Sequence, residues 1–170
     1  KPLVHCSEIK KPTSLVCSPE YQEILQKEHN KGKWGVTAES LIEDIKEIML
    51  RYNVTEVLDY GCGAGGFKKA LNDPTIQISE YDPGIQGKDT LPDPSDFVIC
   101  IDVLEHIEPD KLKDVLKDLR RVTKGIGYFT ISTIPAKRIL SDGRNAHLIV
   151  EDFNLWMSKL KDFKIIKCNI

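Results

Sequence analysis

The chain has 170 residues, which is the usual length of one compact domain. Its 24 Lys and Arg residues nearly balance 26 Asp and Glu residues, and the net charge of −2 argues against binding to extended nucleic acid. Five scattered cysteines include no Cys-x-x-Cys pair, and every apolar run is far shorter than the ~20 residues of a membrane span. We therefore expect no metal site, no membrane partner and a reducing, cytoplasmic location.

The first 35 residues differ in character from the rest of the chain. Prolines and weak periodicity before residue 20 predict an irregular segment, and a short helix follows up to about His29. We expect an N-terminal arm over residues 1–35 and one folded domain over residues 36–170. Trp34, near the end of this arm, is a candidate for stacking on a planar ligand.

From Thr37 onward, helical and strand patterns alternate along the chain. Apolar residues at helical spacing predict helices over about 37–52, 64–71, 109–122 and 151–160. Short apolar runs predict strands over 56–60, 76–81, 97–101, 128–133 and 163–168, and the proline- and glycine-rich residues 82–96 predict a loop. This alternation indicates a mostly parallel sheet with helices on both faces, and ligands bind such sheets at the carboxyl ends of the strands.

Acidic residues and glycines cluster where the first three predicted strands end. Asp59 leads into the glycine-rich residues 61–66, which let the backbone turn sharply and approach a ligand closely. Asp82 follows the second strand, where it can accept hydrogen bonds from ribose hydroxyls, and Asp102 follows the third. The glycines also match G-x-G-x-x-G, which leaves a nicotinamide dinucleotide open as the ligand.

Two strings of residues carry a resemblance to a known family. Residues 57–65 (VLDYGCGAG) resemble motif I of the class I S-adenosylmethionine (SAM)-dependent methyltransferases, and residues 100–106 (CIDVLEH) resemble the strand-4 segment of that family. The spacing of these strings and Asp82 also fits, over about residues 37–134. The resemblance implies a Rossmann-like, doubly wound α/β sheet that binds SAM and releases S-adenosylhomocysteine (SAH).

The same resemblance implies which residues contact the cofactor. Asp59 is expected near the methionine amino group and Asp82 at the ribose hydroxyls, while Asp102 and Val103 line the cofactor and the mouth of the substrate pocket. The full implied set of cofactor-binding residues is Asp59, Tyr60, Gly61, Cys62, Gly63, Gly65, Asp82, Pro83, Asp102 and Val103.

Two features depart from the family's usual pattern. The loop over residues 82–96 stands where the family has a third strand, which leaves Asp89, Thr90 and Leu91 as candidates for the adenine contact. No antiparallel final strand follows residues 163–170. We therefore expect a sheet without a full third strand and without the final antiparallel strand, unless the chain is cut short.

The acceptor side of the pocket is predicted from residues beyond the third and fourth strands. No [DNS]-P-P-[YFW] string and no Pro-Cys nucleophile is present, which favours methylation of an O or N atom of a small molecule. Lys137, Arg138 and Arg144 predict attraction of an acceptor that carries a phosphate or carboxylate. The candidates for a general base, and hence for catalytic residues, are His106, His147 and Glu105.

Two other functions stay open on the sequence alone. One is a SAM-binding partner or regulatory subunit that has no catalytic activity of its own. The other is a nicotinamide-dependent oxidoreductase, which also requires a hydride-transfer site such as a Tyr/Lys pair, and none is apparent in the sequence. Of the three functions, the sequence favours a methyltransferase in which residues 1–35 act as a lid over the substrate.

Overall fold

The computed structural model describes residues 16–32, 37–163 and 165–169, with side chains through Phe163. Trp34 and the first 15 residues of the predicted arm lie outside these ranges. Within them, no helix is both long and apolar enough to cross a lipid bilayer.

Helices and strands alternate as the sequence predicts. The helices are α1 (Pro19–Asn30), α2 (Thr37–Ser40), α3 (Ile42–Arg51), α4 (Gly66–Leu71), α5 (Leu112–Val122) and α6 (Phe153–Leu160). The strands are β1 (Glu56–Tyr60), β2 (Gln77–Tyr81), β3 (Ser95–Ile101), β4 (Thr123–Thr130) and β5 (Ile165–Asn169). They form one sheet in the order β2-β1-β3-β4-β5, and all neighbouring strands are parallel.

This topology confirms the prediction of a Rossmann-like α/β sheet. Residues 82–94, between β2 and β3, form turns and coil rather than a strand. Among the described residues no antiparallel strand joins the sheet. The described part of the sheet is therefore abbreviated in the two places where the sequence departs from the family's pattern.

Several element boundaries shift by a few residues from the sequence-based prediction, and two of the differences change the elements themselves. The helix predicted over 37–52 is interrupted at Leu41, whose N–H donates to the carbonyl of Ala38 in a tight turn. β4 begins at Thr123 rather than at residue 128, so that Gly125 lies inside the strand. A Cβ atom at Gly125 would come within 2.5 Å of the Asp96 carbonyl oxygen, so the missing side chain lets β4 approach β3.

Both faces of the sheet are buried, which accounts for the nearly continuous apolar runs in its strands. Alternate residues of each strand point to opposite faces. Leu58 faces α5 and α6, whereas Val57 faces α3 and α4. The helices close each layer with fully buried side chains, which include Leu119 in α5 and Phe67 in α4.

α1 lies across the carboxyl ends of the strands rather than on a face of the sheet. The Ser18 N–H and hydroxyl both donate to the Glu108 carboxylate, at 2.8 and 2.7 Å. The Tyr21 hydroxyl donates to the carbonyl oxygen of His106 at 2.7 Å. α1 is therefore fixed to the segment that follows β3, which is where the sequence places functional residues.

We expect Leu119→Ala to lower the free energy of unfolding by about 2–5 kcal/mol, because it leaves a cavity beneath the sheet. Leu50→Ala is the matched control, since Leu50 is also helical but 81% exposed, and we expect a change below about 0.5 kcal/mol. Urea unfolding of both variants measures the difference. Equal losses in the two variants would contradict the assignment of α5 to the core.

Candidate functional site

A cavity of about 730 Å³ opens at the carboxyl ends of β1, β2 and β3, beneath α1. All of the predicted cofactor-binding residues except Gly65 line it, and so do the three predicted catalytic residues. A volume of this size is within the range of about 300–1,000 Å³ that is usual for small-molecule sites. The residues predicted from separate strand ends are thus brought together in one place.

The glycine-rich loop after β1 forms one wall of the cavity. Gly61 has a φ of +82°, and a Cβ atom at this position would overlap the side chain of Val103. Gly61 N–H and Cys62 N–H both donate to the Tyr81 carbonyl oxygen, at 2.7 and 3.0 Å, which fixes the loop to the end of β2. Burial raises the pKa of the Cys62 thiol, so this cysteine is a packing residue rather than a nucleophile.

Tyr60 contributes its ring rather than its hydroxyl to the cavity. The hydroxyl donates to the carboxylate of Asp118 in α5 at 3.0 Å, inside the core. Tyr60 therefore fixes β1 against α5 and offers a ligand only apolar surface.

Asp59 places a buried carboxyl group at the same wall. Burial, together with the nearby carboxylates of Glu80 and Asp82, raises the pKa of Asp59 to about 7, and Lys88 opposes this shift. Because the charged form is disfavoured when the cavity holds no cation, a positively charged ligand group beside Asp59 would be strongly favoured.

Asp82 is held rigidly at the end of β2. Its two carboxylate oxygens accept hydrogen bonds from Gly63 N–H at 2.9 Å and from Gly84 N–H at 2.8 Å. His29 of α1 reaches across, with its Nε2 3.5 Å from Asp82 Oδ1. Next to it, the carbonyl oxygen of Pro83 accepts a hydrogen bond from the Gln22 side chain at 2.8 Å. Asp82 thus joins the glycine loop, the loop after β2 and α1.

Asp102 turns the chain sharply where β3 ends. Its φ of +51° is unusual for a residue other than glycine. Two hydrogen bonds to Thr130 offset this strain: the Thr130 hydroxyl donates to Asp102 Oδ1 at 2.6 Å, and Asp102 N–H donates to the Thr130 carbonyl at 3.0 Å. The turn directs the following 3-10 helix, Leu104–His106, into the cavity.

Glu105 is fully buried at the cavity wall. Its Oε1 accepts a hydrogen bond from Ser132 N–H at 2.8 Å, whereas its Oε2 has no hydrogen-bond partner among the described residues. Burial raises the pKa of this carboxyl to about 7. Such an oxygen is a strong indication of a missing partner, because buried polar atoms are nearly always paired.

His106 and His147 meet although they lie on different segments. Their rings are 4.9 Å apart and nearly perpendicular. His106 Nδ1 lies 2.7 Å from the Ala146 carbonyl oxygen and His147 Nδ1 lies 2.6 Å from the Ile134 carbonyl oxygen. Since carbonyl oxygens only accept, each Nδ1 carries the proton and each Nε2 of the neutral ring carries a lone pair. Burial lowers the pKa of His106 to about 4, which keeps this ring neutral.

Other predicted residues are placed apart from the cavity. Gly65 precedes α4 with a φ of +77° and faces Glu80. The three candidates for the adenine contact do not line the cavity either. Arg144 is directed away from it, because its guanidinium pairs with Asp142 at 2.6 Å and lies over the Tyr21 ring.

Lys137 and Arg138 do line the cavity, with Lys137 exposed at its rim. Arg138 Nη1 is 3.8 Å from the buried Glu28 carboxylate of α1. The predicted basic patch is therefore reduced to two residues at the cavity, one of which is already paired.

The sequence predicts a lid in this region, but not which side chains at α1 reach the cavity. Cys17, Tyr21, Leu25 and His29 all line the cavity. The signal was present in the sequence, since Tyr21, Leu25 and His29 recur every four residues and so share one face of a helix.

Comparison with known proteins identifies a family model that matches the chain and a solved structure with a similar fold. A family model described as a methyltransferase domain matches residues 15–162. No curated protein matches the chain. A crystal structure of Burkholderia thailandensis 1,6-didemethyltoxoflavin-N1-methyltransferase, with bound 1,6-didemethyltoxoflavin and S-adenosylhomocysteine, has a TM-score of 0.59 at 17% identity. The match covers 84% of this chain and 76% of that chain, and it shows the fold.

The raised pKa of Asp59 makes a prediction about stability and pH. The folded protein holds this proton up to about pH 7, whereas an unfolded Asp releases it near pH ~4. The free energy of unfolding of the wild type, relative to Asp59→Asn, should therefore fall as the pH rises from about 4 to about 7. Urea unfolding of both proteins across this range measures the difference, and parallel curves would contradict the raised pKa.

Proposed function

The chain belongs to the methyltransferase domain family, whose methyl donor is SAM, and we propose that it methylates an O or N atom of a small molecule. The observation that carries this proposal is the shared cavity. Carboxylates at three strand ends and the Glu105–His106–His147 cluster line the same space. The first set suits a cationic cofactor, and the second suits an acceptor.

The charged groups of the cofactor half of the cavity suit SAM. SAM supplies a methyl group bonded to a positively charged sulfur atom. The acceptor atom attacks the methyl carbon in line with the carbon–sulfur bond, and the thioether of SAH leaves. The Asp59 carboxyl, whose pKa is raised by burial, suits a cationic amino group, and Asp82 has its carboxylate fixed for ribose hydroxyls. Glycine at position 61 lets the loop pack against Val103, since a Cβ atom there would overlap this side chain, and both residues line the cavity.

The acceptor half is formed by Glu105, His106 and His147. A protonated acceptor must lose its proton on methylation, and the lone pair on an imidazole Nε2 can receive it. The larger part of the rate enhancement comes from holding acceptor and methyl group in line, which is worth up to ~7–11 kcal/mol. The Asp102 turn and the Tyr21 hydrogen bond serve this orientation, since both fix the 3-10 helix that carries the cluster.

The size of the site supports a small acceptor. The structurally similar Burkholderia enzyme binds 1,6-didemethyltoxoflavin, a small molecule, together with SAH. An acceptor with an anionic group suits the rim, because Lys137 and Arg138 supply positive charge there.

Two broader parts of the proposal concern organisation and location. We assign α1 to a lid over the substrate, since it covers the cavity and bonds to the loops after β2 and β3. We also assign the protein to a reducing compartment such as the cytoplasm, because Cys17, Cys62 and Cys100 are buried free thiols.

Asp82→Ala should weaken SAH binding at least ~10-fold, because it removes both the ribose acceptor and the hydrogen bonds that fix the glycine loop. Calorimetric titration with SAH measures the affinity. Asp73→Ala is the control, since Asp73 is an exposed aspartate in the turn that precedes β2, at the amino end of that strand, and its affinity should equal that of the wild type. Equal affinities in all three proteins would contradict the cofactor site.

His147→Ala should lower methyl transfer by about 10²-fold while SAH affinity stays within twofold, because His147 acts on the acceptor only. The assay incubates methyl-labelled SAM with a panel of small hydroxylated and heterocyclic acceptors. An unchanged rate with an accepted substrate would remove His147 from catalysis. SAH binding without transfer to any acceptor would instead favour the non-catalytic subunit.

A further inference from the structure

We infer that Glu105, His106 and His147 form a binding site for one divalent transition-metal ion at the acceptor end of the cavity. This departs from the sequence-based expectation of no metal site. The ion binding is independent of the proposed function, whereas the role that we give the ion rests on it.

The three side chains already converge. One imidazole nitrogen of each histidine and one oxygen of Glu105 all lie within 4.8 Å of one another. Two atoms that both ligate an ion at about 2.1 Å can be at most ~4.2 Å apart. Any pair of these atoms near the 4.8 Å limit must therefore come closer by at least ~0.6 Å when the three side chains bind one ion.

The hydrogen bonds of both histidines orient them for metal binding. Metal-ligating histidines usually donate one ring N–H to a carbonyl or carboxylate, which directs the lone pair of the other nitrogen to the ion. His106 donates to the Ala146 carbonyl and His147 to the Ile134 carbonyl in this way. A general base requires only one imidazole with a free lone pair. Here two imidazoles make the same type of hydrogen bond to a main-chain carbonyl, and their rings are in van der Waals contact. This arrangement favours a metal site over a single general base.

Glu105 supplies an independent second observation. The main-chain N–H of Ser132 fixes one carboxylate oxygen, and the other oxygen is buried at the cavity wall with no partner among the described residues. A buried carboxylate oxygen without a hydrogen-bond partner lowers the stability of the folded protein. The buried position of Glu105 Oε2 therefore needs an explanation. A cation between this oxygen and the two histidines supplies it.

The surrounding charges permit a cation. The Asp102 carboxylate is close enough to act on both Glu105 and His106. Arg138 also acts on His106 with the opposite sign, but its guanidinium lies 3.8 Å from the Glu28 carboxylate. Among the described residues, Asp102 and Glu105 thus place two carboxyl groups at the site, and Arg138 has a counter-charge in Glu28.

The donor set indicates the class of ion and of acceptor. Two imidazoles and one carboxylate suit Zn²⁺, Fe²⁺, Co²⁺ or Mn²⁺ and leave coordination positions open. The ion would occupy the Nε2 lone pairs of both rings, so its role would replace that of the imidazole base in the proposed function. An acceptor hydroxyl bound to the ion would be acidified and would release its proton to water. The acceptor oxygen would then bond to the methyl carbon as the carbon–sulfur bond breaks and SAH leaves. The acceptor class is therefore an alcohol, phenol or enol rather than an amine.

The test uses Co²⁺ alone, added to protein stripped with a chelator. We expect one equivalent to bind the wild type, with visible d–d absorption bands of a protein-bound ion. His147→Ala, a half-buried position, should weaken binding more than ~10-fold, and Glu105→Gln should do the same while keeping the shape of the side chain. Glu43→Gln is the matched control for Glu105→Gln, because Glu43 is an exposed glutamate on α3 that does not line the cavity, and it should bind as the wild type does.

Thermal unfolding of each variant separates loss of the ion from loss of the fold. Absence of saturable binding to folded wild type, or equal binding by folded His147→Ala, would overturn the inference. SAH titration of the same samples keeps the two claims apart. Metal binding without SAH binding would contradict the proposed function alone, and SAH binding without metal binding would contradict this inference alone.

Discussion

The rest of the structure depends on the burial of several carboxyl groups at one edge of a parallel sheet. Parallel pairing of β2, β1 and β3 brings the carboxyl ends of these strands together, so Asp59, Asp82 and Asp102 meet by topology rather than by proximity in sequence. α1 then covers this edge. Burial raises the pKa of Asp59 and of Glu105 to about 7, which makes the folded protein hold protons or attract cations there. The fold gives up some stability near neutral pH, and we propose that the same carboxyl groups favour a positively charged ligand.

α1 covers one side of the cavity. It bonds through Ser18 to Glu108, through Tyr21 to the His106 carbonyl, and through Gln22 to the loop after β2. The family match begins at residue 15 and so includes α1. Whether residues 1–35 act as a separate unit stays a prediction, but α1 contacts both the cofactor half and the acceptor half of the cavity.

The parts of the site that are local in sequence could be predicted, and the parts that depend on distant contacts could not. The glycine loop and Asp82 follow from strand ends and turn chemistry, which a few neighbouring residues determine. The pairing of His106 with His147 depends on how the loop after β4 folds back, and no periodicity records it. Arg144 was expected at the acceptor, yet Asp142, two residues before it, captures its guanidinium. The early start of β4 at Thr123 could not be predicted either, because the close approach of Gly125 to β3 leaves no pattern within one strand.

The central claim is that the buried carboxyl groups at the strand ends hold SAM. A crystal structure of the protein with SAH tests it most directly. The account predicts SAH in the cavity beneath α1, with its ribose hydroxyls within about 3.2 Å of the Asp82 carboxylate and its amino group beside Asp59. SAH bound elsewhere, or bound in the cavity with its ribose away from Asp82, would contradict it.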